Sequence, residues 1–222
     1  MVLRKKKTTA KKVIKKTKKS DDSKYFNKTC TTPKGILSYP TLAEPRITND
    51  GKEQYSCDVY VSKEDMLTPA GKKFMKIVNE ALDFYDLDED DCEHFPIVDM
   101  DETDDPAEHE VGRYRIRAKN KIAAPTVIDR KKKVMDEDAV KLIKGGDIGM
   151  LNVSPFKYVF NGTPGLGLGL EIAVFIDEGE ALGGGSSARV SAISSIEIDD
   201  IEVDLDDEDE VEYEEDDTSF ED

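Results

Sequence analysis

The two ends of this chain carry charge too dense to pack, and that limits how much of it can fold. Residues 1–28 hold twelve Lys and Arg against two acids, a local charge of +10, while Ile196 to Asp222 holds seventeen acids and no base. Self-repulsion and a shortage of apolar groups predict a disordered basic arm over 1–28 and a flexible acidic tail over 189–222. Gly183, Gly184, Gly185, Ser186 and Ser187 form the joint before that tail. About 167 of the 222 residues lie between the charged ends, enough for one domain with a core, which we place at 29–188.

The rest of the composition narrows the class. No apolar run approaches the roughly 20 residues of a membrane span, and the start lacks the layout of a secretory signal, so a soluble, non-secreted protein with no membrane partner is expected. Cys30, Cys57 and Cys92 are odd in number and show no CxxC spacing, which argues against a disulfide framework or a zinc ribbon and suits a reducing cytoplasm.

Between the ends the pattern is mostly that of strands. Alternation marks Ile36 to Leu42, Tyr55 to Val61, Val111 to Lys121, Gly149 to Phe160 and Gly165 to Ile176. One helix is well signalled: Thr68 as N-cap, Pro69 at the first helical position, then Phe74, Ile77, Val78, Ala81, Leu82 and Tyr85 on one face. A shorter helix is expected from Asp136 to Lys144, stopped by Gly145 and Gly146. Residues 83–110 hold fourteen acids and no Lys or Arg and read as a long exposed acidic insertion. Five short strands, an amphipathic helix and no alternating strand–helix rhythm predict a mainly β fold, a small antiparallel barrel or sandwich.

Two constellations carry chemistry. Arg113, Arg115, Arg117, Lys119 and Lys121 fall at every second position, so a strand here would line up five cations over ~26 Å, a shape suited to a phosphate backbone. An edge strand that uses charge to block pairing is the structural alternative. Arg130, Lys131, Lys132 and Lys133, in an expected loop, would extend the track. The second constellation is a hairpin. With Asn161, Gly162, Thr163 and Pro164 as the turn, Phe160 faces Gly165, Tyr158 faces Gly167 and Phe156 faces Gly169. These rings either cover the strand glycines or offer stacking platforms for bases. Val159, Leu166, Leu168, Leu170, Ile172 and Val174 would form the core face, with Lys157 as the misfit.

Enzyme signatures are poor, and no catalytic residue, metal or cofactor is assigned. Only His94 and His109 are present, and GTPGLGLGL alternates strictly, as a strand rather than a phosphate loop. Asp99, Asp101, Thr103 and Glu110 have calcium-loop spacing, but Asp104 stands where the turn needs glycine. Cys92 and His94 lack zinc-ligand spacing, and a magnesium hydrolase built on Asp99 and Asp101 would have no supporting framework.

SYPTLAEP (Ser38 to Pro45), YSCDVYVSKED (Tyr55 to Asp65), the capped helix, PTVIDR (Pro125 to Arg130) and GDIGMLNVSPFKYVFNGTPGLGLGLEIAVFIDEGEALGG (Gly146 to Gly184) follow one another in an order that resembles a family of phage single-stranded-DNA-binding proteins. That family shares its plan with the replication-type binding proteins of short-tailed coliphages, and the resemblance spans roughly Lys34 to Ala188. It implies a five-stranded OB-type barrel with an added helix, coating single-stranded DNA during phage replication, recombination and repair in the host cytoplasm. It also implies that the acidic tail competes with DNA for the groove and recruits replication proteins such as polymerase or helicase-primase, with homodimerisation left open. Asp216, Asp217, Phe220, Glu221 and Asp222 are the tail residues expected to meet a partner, although Phe220 is followed by two acids where family tails commonly finish on an aromatic residue. The lysine-rich arm is a departure from the family pattern. An acidic chaperone that binds basic proteins through its tail would also explain the net charge of −17, but not the alternating cationic strand.

Overall fold

A computed structural model describes residues 25–90, 92 and 94–182. The basic arm up to residue 24, the Gly-Ser joint and the acidic tail with Asp216, Asp217, Phe220, Glu221 and Asp222 lie outside the described residues.

Strands dominate: β1 (Cys30–Thr31), β2 (Gly35–Ile47), β3 (Glu53–Ser62), β4 (Ile97–Asp99), β5 (Arg113–Asn120), β6 (Thr126–Ile128), β7 (Ile148–Phe160) and β8 (Thr163–Asp177). Three helices, α1 (Lys63–Leu67), α2 (Pro69–Tyr85) and α3 (Glu137–Lys141), interrupt them. The five expected strands are the five long ones. Their pairings run β7 to β2 to β3 to β5 to β8 and back to β7, a closed ring, while the short β1, β4 and β6 add to β7, β5 and β8. All the ring pairings are antiparallel except β5 with β8, which run parallel and meet at one residue pair, Lys119 opposite Gly169.

Alternation explains why the ring has an inside. Cys57, Val59 and Val61 on β3, Ile116 and Ala118 on β5, and Leu166, Leu168 and Leu170 on β8 are buried together with Leu37, Leu151 and Val153. Helix α2 starts as its sequence dictates: Thr68 Oγ1 accepts from the Gly71 amide at 3.3 Å, and Pro69 occupies the first turn. Phe74, Val78, Ala81 and Leu82 bury its apolar face in the same core, with Ile77 and Tyr85 half-buried at its margin. At its far end the Phe26 amide donates to the Tyr85 hydroxyl at 3.0 Å and Lys28 pairs with Glu80 at 2.8 Å. Residues 25–28, drawn as the end of the disordered arm, therefore lie against the C-terminal end of α2.

Two further expectations are corrected. The acidic insertion is not simply exposed, because Cys92, Phe95, Ile97 and Met100 are buried and β4 pairs with β5. Its few apolar residues anchor it, while Asp86, Asp88, Glu89, Glu102, Asp104 and Asp105 on either side of them are exposed. In the β7–β8 hairpin, Phe156 faces Gly167, Tyr158 faces Gly165 and Phe160 faces Thr163, two residues away from the expected register. The cause is a tighter turn, in which only Asn161 (φ 50°) and Gly162 (φ 86°) bridge the strands, the left-handed pair that two-residue hairpins prefer. A slip of two keeps every side chain on its face. An irregularity between Asn152 and Val153 then shifts the alternation, so Ala173 is buried in place of Ile172 and Val174. Val159 at the tip is exposed, and Lys157 escapes the core by reaching the Tyr85 carbonyl at 3.3 Å.

Candidate nucleic-acid interface

The side chains that alternate with the core point outward, and on β3, β5, β8 and β7 they form one face. Along the β3–β5 ladder Ser62 faces Arg113, Tyr60 faces Arg115, Asp58 faces Arg117 and Ser56 faces Lys119. Next to Lys119 lies Gly169 of β8, followed by Gly167 and Gly165 under the β7 rings. A Cβ on Gly165 would stand 2.6 Å from the Tyr158 ring, and one on Gly167 would stand 2.5 Å from the Phe156 ring. Each ring therefore lies flat on bare backbone, which is the packing reading of these aromatics. Both rings remain only partly covered, with centroids 6.3 Å apart, and Lys119 Nζ sits 5.8 Å from the Tyr158 centroid. The cationic strand and the aromatic hairpin thus meet on one surface, where strand glycines hold the rings and a lysine lies over one of them.

The five-cation track divides in the middle. Arg117 and Lys119 are exposed, and Lys121, just beyond the end of β5, is exposed with its Nζ 3.7 Å from Asp50 in the β2–β3 turn. Arg113 and Arg115 are partly covered by the acidic insertion: the Arg113 guanidinium donates to the His109 carbonyl, and the Tyr60 hydroxyl donates to Glu110 beside Arg115. Arg115 Nε is buried and unpartnered among the described residues. Arg130, Lys131, Lys132 and Lys133 form a turn closed by Asp129, whose carboxylate accepts from the Lys131 and Lys133 amides. That turn follows β6, which pairs with β8 near Val174, so it sits roughly 25–30 Å along the sheet from the rings. Phe160 stands at the hairpin tip, 48% exposed, with its ring 5.6 Å from that of His94, and the Tyr158 hydroxyl donates to the His94 carbonyl at 3.1 Å.

Electrostatics mark the same centre. Burial, reinforced by Lys121, Arg117 and Arg46, depresses the Lys119 pKa. Arg46, on β2, was not singled out in the sequence because only the register across β2, β3 and β5 brings it here. Asp58 was also missed. Burial pushes its carboxyl up to about 6 despite Arg117, Arg115 and Arg46 around it. The surface is a crowd of like charges with the Asp58 carboxylate at its centre and Asp50 and Glu110 at its margins, an arrangement in which the cations favour an extended polyanion.

The metal-like spacings resolve into structural contacts. Asp99 and Asp101 both hold Lys63 Nζ, at 2.8 and 2.7 Å, and among the described residues no cluster of three His, Cys, Asp or Glu is arranged to hold a metal. The three cysteines are buried and free, and burial raises the Cys30 thiol to about 12. No described helix is long and apolar enough to cross a membrane.

Residues 28–205 match the family model described as the Enterobacter phage Enc34 ssDNA-binding protein. The solved structure of the bacteriophage Enc34 single-stranded DNA-binding protein in complex with ssDNA aligns at a TM-score of 0.57 and 17% identity, covering 70% of this chain and 89% of that one. A C-terminal truncation of the same phage protein aligns at 0.59 and 19%, covering 69% and 88%. The bacteriophage T7 single-stranded DNA binding protein gp2.5 aligns at 0.53 and 19%, covering 78% and 97%. No curated protein matches the chain.

Proposed function

This chain belongs to the family of the Enterobacter phage Enc34 ssDNA-binding protein, and from that premise we propose that it coats single-stranded DNA without regard to sequence. The observation that carries the reading is the junction at Lys119, where a row of cations on β5 meets the β7 rings on one open face. Arg117, Lys119 and Lys121, joined by Arg46 and the half-covered Arg115, track phosphates. Phe156 and Tyr158 stack bases on the ring faces turned away from the glycines, with Phe160 at the tip. Arg113 is a supporting residue of the β5 end, and Arg130 to Lys133 receive strand leaving the far end of β8. The ring of β2, β3, β5, β7 and β8 is an OB-type five-stranded barrel with α2 as its added helix, the core of the domain we place at 29–188.

The role is binding rather than catalysis, in phage replication, recombination and repair in the host cytoplasm. The acidic tail, through Asp216, Asp217, Phe220, Glu221 and Asp222, competes with DNA for the groove and recruits replication proteins. Fluorescence anisotropy of a mixed-sequence single strand and its duplex, at several salt concentrations, tests the reading. We expect preference for the single strand and, with five cations neutralising phosphates, a log–log salt slope of about −3.5. Absence of binding at low salt by both the full chain and a chain lacking 196–222 overturns it and favours the acidic-chaperone alternative.

A further inference from the structure

Between α1, α2 and β4 lies a groove of about 660 Å³. Its floor is apolar, from Met66, Met75, Ile97 and Tyr114, and its rim is acidic, from Glu89 and Glu102. Among the described residues no ion pair reaches either rim acid. Burial, with Asp90 and Asp88 alongside, raises the Glu89 pKa, so this rim acid sits among like charges. One lysine already shows how the corner accepts an amine: Lys63 Nζ lies 5.7 Å from the Tyr114 ring centre while gripping Asp99 and Asp101.

The chain carries a segment of the matching chemistry. Residues 11–16 read KKVIKK, with Val13 and Ile14 between two lysine pairs, an apolar centre with cationic flanks opposite an apolar floor with an anionic rim. The segment is tethered close by. Phe26 is fixed at the C-terminal end of α2, at Tyr85, and Met75 lies ten residues back along the same helix, about 15 Å. The twelve residues from Ile14 to Phe26 span up to about 40 Å when extended. A tether of this length raises the local concentration of the arm to the order of millimolar.

We propose that the groove between α1, α2 and β4 is the docking site of the chain's own N-terminal arm, with Val13 and Ile14 on the Met66–Met75 floor and Lys11, Lys12, Lys15 and Lys16 on the Glu89 and Glu102 rim. Docking stores the arm away from the DNA face and neutralises part of the insertion. DNA then draws on the arm only by outcompeting the groove. The inference is independent of the single-strand reading, since it needs no nucleic acid.

The test is a full-length chain with Thr17→Cys carrying a nitroxide label, the three native cysteines being buried, and with the methionine methyls observed by NMR. Met66 and Met75 should lose most of their intensity at low salt. They should recover it in about 0.5 M sodium chloride, where the Debye length is about 4 Å, and in Glu89→Gln/Glu102→Gln. The buried Met100 methyl reports whether that variant has folded. If it has not, Lys11→Gln/Lys12→Gln/Lys15→Gln/Lys16→Gln provides the same comparison from the arm. Unchanged Met66 and Met75 signals at low salt overturn the proposal. So does equal broadening in a mixture of spin-labelled, unenriched chains with isotope-labelled chains that carry no nitroxide, which assigns the groove to a second copy.

Discussion

Asp58→Asn is the perturbation that separates a designed phosphate track from a merely basic surface. Asp58 faces Arg117 across the β3–β5 ladder, and its carboxyl titrates near 6, so at pH 7.5 it is a negative charge inside the surface proposed to receive phosphates. A phosphate on Arg117 would stand ~7 Å from that carboxylate, a repulsion of about 0.6 kcal/mol in water and about 2.4 at an effective dielectric of 20. Removing the charge should tighten single-strand binding by about 3- to 60-fold at pH 7.5. The sign of the pH effect follows from linkage. Phosphates raise the Asp58 pKa further, the complex holds more protons than the free protein, and wild-type affinity climbs as pH falls from 8 towards 6. Below about 5, where Asp58 is protonated in the free protein as well, wild type and Asp58→Asn should converge. Anisotropy titrations at constant ionic strength across that range measure all of this. Equal or weaker binding by Asp58→Asn at pH 7.5, with the wild-type pH slope retained, would refute the reasoning and make Asp58 a positioning partner for the arginines. Thermal melts of the free protein supply a parallel check. A carboxyl raised by folding destabilises above its folded pKa and ceases to do so below its unfolded value, so the melting advantage of Asp58→Asn should vanish as pH drops from 7 to 4.

Other expectations apportion the face. Arg117→Ala with Lys119→Ala should make the salt slope shallower by about 1.4, two phosphates' share, whereas Tyr158→Ala should lose about 1–3 kcal/mol of affinity with little change in slope. A Tyr158→Ala chain that no longer folds would make the ring a packing element only. Gly167→Ala places a methyl 2.5 Å from the Phe156 ring; it should displace that ring and weaken DNA binding while circular dichroism stays that of the parent fold, and unchanged affinity would remove Phe156 from the site. Deleting residues 196–222 should tighten binding, most at low salt, and an unchanged constant would end the idea of a tail that competes for the groove.

How much of this could be read from the sequence depended on how local each signal was. Alternation over seven or more residues located β2, β3, β5, β7 and β8, and Thr68-Pro69 located the start of α2, because burial of one face and capping are both decided within a few residues. The pairing of Phe156 and Tyr158 with strand glycines was legible as well, although off by two, since turn length sets register and Asn161-Gly162 closes without Thr163 and Pro164. Arg46 and Asp58 stayed hidden because their meaning arises only when three strands lie side by side. The half-cover over Arg113 and Arg115 stayed hidden for another reason: the anchors Cys92, Phe95, Ile97 and Met100 are diluted among fourteen acids, so the segment reads as solvated while in fact it is stapled to the core.

The parallel contact between β5 and β8 is a single residue pair, Lys119 with Gly169, supported by the Asn120 side chain donating to the Leu170 carbonyl at 3.0 Å. Every other joint of the ring is a longer antiparallel ladder or is backed by β1. The seam with the shortest backbone ladder in the ring therefore runs through the centre of the proposed DNA face. A strand laid across it, with phosphates on Lys119 and bases on Tyr158, would act as a clasp over that seam. Amide exchange along β5 and β8 should then slow on binding more than exchange in β2 and β3, so that the ligand completes the part of the protein its own backbone holds least firmly.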